Sequence, residues 1–129
     1  MVVLSERSMK ALSGVHPKLV EVVERAAANA GADFTVIEGL RTLEKQKEYF
    51  DRGASKTMKS KHLKQPDGFG HAVDIYPFYD GKVQVNAPMS KFREIANCLK
   101  QAADEVGAKI VWGGDWKTFV DAPHYQLEA

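Results

Sequence analysis

The sequence predicts an α+β fold in which a small antiparallel sheet is flanked by helices. Two long segments, around residues 17–30 and 90–106, carry apolar side chains at the helical period. Shorter runs at 33–37 and 72–78 are rich in β-branched and aromatic residues. The segments follow no regular strand–helix–strand rhythm, which favours α+β over a parallel α/β sheet. A length of 129 residues fits a single domain over residues 1–129.

The N-terminal part of the chain predicts two helices. Residues 5–12 form a short helix that ends before Gly14. A second helix begins at Pro17 and ends before Gly31, the usual placement of these two residue types at helix termini. Its core-facing residues recur at the helical period: Leu19, Val22, Val23, Ala26 and Ala30.

The middle of the chain predicts a strand, a helix and a long loop. The strand covers 33–37, and Thr42 caps a third helix that extends to about Arg52. Residues 54–70 are polar and rich in Gly, Pro, Ser and Lys. Because long loops in compact domains are often functional, this segment is a candidate part of a site.

The C-terminal part predicts a hairpin, a long helix and two further strands. A strand over 72–78 turns at Asp80-Gly81 into a second strand over 82–85. Ser90 opens the last helix, whose apolar stripe is Phe92, Ile95, Ala96, Leu99, Ala102, Ala103 and Val106. Beyond it the pattern predicts a strand, a tight loop and a terminal strand, at 109–112, 113–116 and 124–128.

Composition excludes several functions. A formal net charge of +1 provides no broad basic surface, so we expect no nucleic-acid partner. The N-terminal residues lack a basic region followed by a long apolar run, so we expect no export signal, no membrane insertion and a cytoplasmic chain. Cys98, the single cysteine, cannot form an internal disulfide. The G-x-S-x-G, G-K-[ST] and H-E-x-x-H signatures are all missing.

The histidines suggest where a metal would bind, since a catalytic zinc takes three protein ligands and keeps one open position. We expect His16 to lie far from any other candidate ligand, in a structural or exposed position. Strand alternation places His71 and Asp74 on opposite faces. If Val73 faces the core, Asp74 shares its face with the small Ala72, where a metal has room. His71 is therefore the weaker ligand candidate.

The last predicted strand adds a further candidate ligand. His124, Gln126 and Glu128 share one face, and Asp121 precedes them by less than a turn of chain. A metal site would then combine His62, Asp74 and His124. Three scattered polar residues in a small domain are more often hydrogen-bonded surface groups, so the spacing alone favours that interpretation and leaves the metal site as the alternative.

Several motifs together resemble one known family. Ser60-Lys61-His62 followed by Gly70-His71-Ala72-Val73-Asp74 resembles the S-x-H…G-x-A-x-D signature of the LAS-type zinc peptidases. This family includes D-alanyl-D-alanine carboxypeptidases and the L-alanyl-D-glutamate endopeptidases of bacteriophage endolysins. Three more segments agree in family order, namely 38–42, 112–116 and 121–124. The resemblance covers the chain from about residue 36 onward.

The resemblance implies one zinc per chain, bound by His62, Asp74 and His124. It also implies Asp121 as the catalytic carboxylate, and Arg41 as the residue that holds a substrate carboxylate or stabilises the oxyanion. One departure is the segment 64–68, which looks inserted between the first two ligands. Such an insertion changes one wall of the cleft and bears on substrate choice.

Five more residues are expected near the site. Ser60 either hydrogen-bonds the substrate or caps its loop. Gln46 shares a helical face with Leu43 and Phe50, so it either points into the site to bind substrate or is a satisfied buried amide. Three further residues are expected in the cleft wall, namely Trp112, Asp115 and Trp116. Asp115 would support a ligand histidine, and core packing would also explain the tryptophans.

These observations predict an endolysin-type peptidase that hydrolyses the L-alanyl-D-glutamate bond of peptidoglycan stem peptides. We expect a monomer without a separate wall-binding domain, held in the cytoplasm of a phage-infected bacterium until lysis. One alternative is a D-alanyl-D-alanine carboxypeptidase or dipeptidase. Another is a catalytically inactive zinc fold that binds the cell wall, which Asp121 disfavours because a binding module needs no base.

Overall fold

The computed structural model describes residues 4–29, 33–55 and 58–128 and confirms the α+β class. The helices are α1 (Glu6–Ala11), α2 (Pro17–Asn29), α3 (Leu43–Asp51) and α4 (Met89–Val106). The strands are β1 (Phe34–Glu38), β2 (Ala72–Tyr79), β3 (Lys82–Val83), β4 (Ile110–Trp112) and β5 (His124–Leu127). A short 3₁₀ turn covers Gly113–Asp115.

The strands form one antiparallel sheet in the order β1-β2-β5-β4, with β3 paired to β2 in a hairpin. β2 is central and pairs with both β1 and β5. At the hairpin turn Asp80 and Gly81 have φ values of 56° and 77°, which the predicted Asp-Gly turn requires. The sheet brings residues from the middle and the end of the chain together at β2 and β5.

The core lies on one face of this sheet, where α2 and α4 pack against each other and against the strands. The buried positions of the two helices are those of their predicted apolar stripes. There are three exceptions: Ala27 is buried without having been predicted, Val106 is half-buried, and Ala30 lies outside the described residues, as does Gly31. Gly107 ends α4 in the left-handed conformation, with φ of 76°. These two helices do not cover the opposite face of the sheet, which can therefore carry a functional site.

Side-chain caps fix α1 and α3 in place. The Ser5 Oγ accepts a hydrogen bond from the Ser8 backbone N–H at 3.1 Å, and the buried Ser8 Oγ accepts one from the Val36 N–H at 3.0 Å. α1 is thereby attached to β1. The predicted cap of α3 is confirmed, since Thr42 Oγ1 accepts from the Lys45 N–H at 3.1 Å.

A β-bulge in β1 changes the direction of its last side chain. Val36 pairs with Ile75, but Glu38 rather than Ile37 pairs with Asp74. In a regular strand Glu38 would share the core-facing side with the buried Val36. The extra residue at the bulge turns Glu38 to the face that Asp74 occupies.

Several predicted boundaries are shifted. The second hairpin strand ends at Val83 instead of residue 85, and the last helix begins at Met89 after the N-cap Pro88 instead of at Ser90. The tight loop predicted at 113–116 contains a 3₁₀ turn. Within the described residues, no helix has the length and apolar character needed to cross a membrane.

Candidate metal centre and active site

The centre of the sheet places two metal-ligating side chains next to each other. Asp74 on β2 and His124 on β5 are register partners, on the face opposite to the buried Val73 and Tyr125. His62, from the loop before β2, completes the cluster. Its Nε2 lies 3.2 Å from Asp74 Oδ1, and His124 Nδ1 lies 3.6 Å from the same oxygen. The structure thus brings together the three predicted ligands, with ligand atoms that all lie within 4.8 Å of one another.

Hydrogen bonds on the far side of each ring fix which nitrogen faces Asp74. His62 Nδ1 lies 2.9 Å from the Gly39 carbonyl oxygen, which can only accept, so this nitrogen carries the proton. His124 Nε2 donates in the same way to Gln126 Oε1 at 2.8 Å. The other ring nitrogen of each histidine then faces the Asp74 carboxylate, where it can hold a proton or bind a metal ion. Donor atoms that converge in this way need a cation between them, and these donor types suit zinc.

The electrostatics of the cluster favour a charged carboxylate. Burial by itself would raise the pKa of Asp74, but hydrogen bonds to His124 and His62 outweigh burial and hold that pKa well below its usual range. Burial would lower the pKa of His124, but Asp74 and Gln126 raise it above the usual value. The Asp74 carboxylate therefore stays charged in the cleft and is available to bind a cation.

We expect the support from Gln126 to be measurable. Gln126→Leu leaves His124 without its acceptor, and loss of such an outer partner lowers metal affinity by roughly 10- to 100-fold. Competition with a chromogenic chelator measures the zinc dissociation constant. Gln84→Leu is the matched control, because Gln84 donates to the Tyr79 carbonyl in the β2–β3 hairpin. Equal zinc affinities in the two variants would contradict this role of Gln126.

Asp121 is a second carboxylate in the same cleft. Burial raises the pKa of Asp121, and the negative charge of Asp74 raises it further, against the opposite effect of the nearby histidines and Arg41. A raised pKa makes a carboxylate a better proton acceptor. Its backbone carbonyl accepts from the His124 N–H at 3.1 Å, so both residues belong to one short turn.

Gly113 lets that turn pack closely against the 3₁₀ segment. The Asp121 N–H donates to the Gly113 carbonyl at 3.0 Å. A Cβ at Gly113 would lie 2.3 Å from the Asp121 carbonyl oxygen and 3.1 Å from the Cβ of His124. Any larger residue would therefore push Asp121 and His124 out of position.

Gly113→Ala is expected to lower the turnover rate by roughly 100-fold, because a displacement of about 1 Å at a catalytic group has an effect of that size. Steady-state hydrolysis of peptidoglycan measures it. The control is Gly81→Ala in the hairpin, where φ is 77° and no heavy atom lies within 4 Å of the added Cβ. The Gly81→Ala control should have a lower free energy of unfolding and the turnover rate of the wild type. A folded Gly113→Ala variant with the wild-type rate would show that the close packing is not needed.

Arg41 is held rigidly at the edge of the cluster. Its Nε donates to Glu38 Oε1 at 2.6 Å, and its Nη1 donates to Gln46 Oε1 at 2.6 Å. Its Nη2 pairs with Glu38 and lies 3.7 Å from Asp74 Oδ2. The Tyr49 ring packs against the guanidinium at 4.7 Å, and the Tyr49 hydroxyl donates to Glu38 at 3.2 Å. A positive charge is thus fixed beside the candidate metal centre.

These residues line a cleft with a volume of about 610 Å³, large enough for a peptide segment. The Trp116 ring packs 5.2 Å from the His124 ring and forms part of the wall. Sequence reasoning did not connect three further basic residues with the site: Arg52, Lys59 and Lys61. The polar character of the 54–70 loop is the signal that could have indicated two of them, Lys59 and Lys61.

Ser60 and Gln46, for each of which two roles were expected, lie beside the cluster and make hydrogen bonds within the protein. Ser60 Oγ accepts from the His62 N–H at 3.1 Å, which is the loop-capping alternative. Gln46 is fully buried and contacts Arg41, but the reason given for its direction is wrong. Leu43 and Phe50 face outward and are 64% and 43% exposed.

Two predicted supporting residues lie elsewhere. Asp115 is exposed and accepts from Lys100 Nζ at 2.7 Å, so the expected support of a ligand histidine is wrong for the contacts described. Trp112 is buried in the core rather than in the cleft wall. Its Nε1 donates to the Ala122 carbonyl at 2.6 Å. This hydrogen bond attaches the turn between Asp121 and His124 to a buried side chain.

The two remaining histidines lie together outside the cluster. His71 does turn away from Asp74, and its Nε2 lies 2.7 Å from Asp67 Oδ2. The expectation that His16 is far from other candidate ligands is wrong. Its Nε2 lies 3.7 Å from the same Asp67 oxygen, because the loop at 64–68 folds back towards α2.

Two imidazoles and a carboxylate that converge in an open cleft, beside a second carboxylate of raised pKa, are an arrangement typical of metal-dependent hydrolases. A family model described as phage L-alanyl-D-glutamate peptidase matches residues 1–127. The chain belongs to this family and is therefore a peptidase. The resemblance to the LAS-type peptidases is confirmed.

Individual relatives agree with this assignment. The L-alanyl-D-glutamate peptidase of Escherichia phage T5 is 32% identical over 119 residues, which cover 90% of this chain and 82% of that protein. The peptidoglycan L-alanyl-D-glutamate endopeptidase CwlK of Bacillus subtilis is 27% identical, over 94% of this chain and 78% of CwlK. The crystal structure of the Serratia marcescens L-Ala D-Glu endopeptidase ChiX superposes with a TM-score of 0.86 and 39% identity, covering 97% and 89% of the two chains.

Proposed function

We propose that this peptidase is zinc-dependent and hydrolyses the L-alanyl-D-glutamate bond of peptidoglycan stem peptides. The observation that carries the proposal is the convergence of His62, Asp74 and His124 beside Asp121 in the cleft. The activities in the names of its relatives agree with it. One chain supplies all of these side chains, so the site needs no second copy to be complete, and we propose a monomer as the active unit.

Zinc is the metal that the donor set favours. Two imidazole nitrogens and one carboxylate oxygen are ligands that zinc accepts in catalytic sites, with a further position left for water or substrate. Calcium and magnesium prefer sites made of oxygen ligands alone. When bound, zinc lowers the pKa of a coordinated water to about 7 and polarises the scissile carbonyl.

Asp121 and Arg41 supply the remaining chemistry. Asp121 accepts a proton from the attacking water and delivers it to the departing amine, which its raised pKa favours. Arg41, fixed by Glu38 and Gln46, directs positive charge to the side of the cleft next to Asp74. There it stabilises the negative charge that develops on the carbonyl oxygen, or holds a carboxylate of the substrate.

The charge of the cleft fits an acidic substrate. A glutamate joined to its neighbours through its amine and one carboxyl group retains a second, free carboxylate. The cleft offers Arg52, Lys59 and Lys61 around the candidate metal centre, in addition to Arg41. Basic side chains in such a position attract an anionic peptide and favour its binding.

Mass spectrometry of muropeptides after digestion of purified peptidoglycan tests the proposal. Fragments with a new amino-terminal D-glutamate support it, provided that a chelator abolishes them and zinc restores them. Release of D-alanine instead would show a D-alanyl-D-alanine carboxypeptidase or dipeptidase. Binding of zinc-loaded protein to the wall without any product would contradict the proposal and indicate a wall-binding module.

The relatives also bear on where the protein acts. Because the family is described as one of phage peptidases, we infer that the protein accumulates in the cytoplasm of an infected bacterium and reaches the cell wall at lysis. Fractionation of infected cells before and after lysis tests this, and recovery from the periplasm before lysis would contradict it.

A further inference from the structure

A second cluster of metal-ligating side chains lies outside the cleft, where the loop at 64–68 meets the first turn of α2. It consists of His16, Asp67 and His71, with ligand atoms that all lie within 4.8 Å of one another. His71 Nε2 and His16 Nε2 lie 2.7 Å and 3.7 Å from Asp67 Oδ2. We propose that this cluster binds a second divalent transition-metal ion, independently of the catalytic centre and of the proposed function.

The backbone around the cluster holds its three segments together. The His16 N–H donates to the Gly70 carbonyl at 2.9 Å, and the Gly70 N–H donates to the Gly14 carbonyl at 2.9 Å. The His71 N–H donates to the Lys61 carbonyl at 2.8 Å. These backbone hydrogen bonds therefore hold His16 and His71 next to each other. Binding a metal there requires little ordering of the chain.

The loop that carries Asp67 is also ordered by its own hydrogen bonds. The Gln65 N–H donates to the Phe69 carbonyl at 2.8 Å, and the Gly68 N–H donates to the Gln65 carbonyl at 2.8 Å. The Phe69 N–H donates to Asp67 Oδ1 at 3.1 Å, which leaves Oδ2 for the two histidines. The Phe69 and His16 rings pack edge to face, with 5.7 Å between their centroids.

The donor types decide which ions fit. Two imidazoles with one carboxylate suit zinc, nickel and copper, whereas calcium and magnesium require mostly oxygen ligands. The side chains of His16, His71 and Asp67 are 32%, 19% and 40% exposed, so water can complete the coordination and the ion can exchange with solvent. The cluster therefore resembles an accessible site more than a sealed structural one.

One hydrogen bond of the metal-free protein competes with metal binding and lowers the expected affinity for the second ion. His16 Nδ1 accepts from the Lys18 N–H at 3.0 Å, so in the metal-free protein the proton is on Nε2. To bind a metal through Nε2, the imidazole has to move this proton to Nδ1 and give up the contact with Lys18. Loss of one helix cap of this kind weakens binding by roughly fivefold to tenfold. The second ion should therefore bind less tightly than the one in the cleft.

Equilibrium dialysis against zinc, followed by metal analysis of the full-length protein, tests the proposal. Wild type should bind a second equivalent as free zinc rises towards the millimolar range. Asp67→Asn and His71→Ala should each lose this second equivalent and keep the first. The control Lys64→Ala removes an exposed charge of the same loop and should keep both. A wild type that stays at one equivalent throughout, or variants that retain the second, would overturn the proposal.

Thermal unfolding supplies a readout that does not depend on the catalytic centre. In a His62→Ala/His124→Ala background the cleft metal is removed, and zinc should still stabilise the folded protein. At a free zinc concentration of roughly 100 Kd the unfolding constant should fall about 100-fold. Addition of Asp67→Asn to this background should abolish that shift. Zinc stabilisation that survives Asp67→Asn, or no stabilisation at all, would refute the second site.

Discussion

Asp121→Asn is expected to lower kcat on purified peptidoglycan by roughly 10²–10⁴-fold, the usual contribution of general acid–base catalysis. Asparagine keeps the size and hydrogen-bonding capacity of the side chain but cannot accept a proton. The turn to His124 is made by backbone groups, so the variant should fold and bind zinc like the wild type. Turnover, circular dichroism and zinc content are measured on the same preparation.

Glu128→Gln is the matched control, because Glu128 is the rival carboxylate on the face that His124 shares in the sequence pattern. In the structure Glu128 is exposed and follows β5, and its N–H donates to the Lys109 carbonyl at 2.9 Å. The control should retain its rate. A nearly wild-type Asp121→Asn together with an inactive Glu128→Gln would reverse the assignment.

His124→Ala is expected to abolish both tightly bound zinc and peptidase activity. The substitution removes one of three ligands and leaves Asp74 with one histidine beside it. A catalytic zinc needs three protein ligands, so the remaining pair should not retain the ion through dialysis. Metal analysis after dialysis, together with a peptidoglycan assay, measures the two losses. We expect the same result for His62→Ala and Asp74→Ala.

His71→Ala is the control for a general effect of histidine removal. His71 contacts Asp67 and not the cleft cluster, so this variant should keep the tightly bound zinc and much of its activity. Full zinc content in His124→Ala would exclude His124 as a ligand. Loss of the tightly bound zinc in a folded His71→Ala variant would show that the wrong histidine was chosen.

Part of the cleft cluster could be predicted because the pattern that indicates it lies within a short stretch of sequence. Alternation along one strand distinguished Asp74 from His71, and the structure places them on the two sides that alternation requires. The helices were predictable for a related reason, since their apolar stripes repeat within a few residues. The family motifs favoured His62, Asp74 and His124 as the ligand set and gave Asp121 its catalytic role, which no periodicity indicates.

Contacts between distant segments were not predictable in this way. His16 and Asp67 are far apart in the sequence, and neither lies in a periodic pattern that indicates a common position. The direction of Glu38 depends on a bulge, and no local signal in β1 marks where a strand gains one residue. Asp115 was assigned to the cleft from its neighbours in sequence, but its partner Lys100 comes from α4.

The interior position of β5 couples the folding of the sheet to the binding of metal. β5 lies between β2 and β4, so local opening of this strand would divide the sheet in two. A metal held jointly by Asp74 and His124 would act as a clamp between β2 and β5, the pair at the centre of the fold. Its binding free energy then adds to the free energy of unfolding. Removal of the metal should consequently accelerate amide hydrogen exchange most in β2 and β5. Central strands of this kind are ordinarily the best protected part of such a domain.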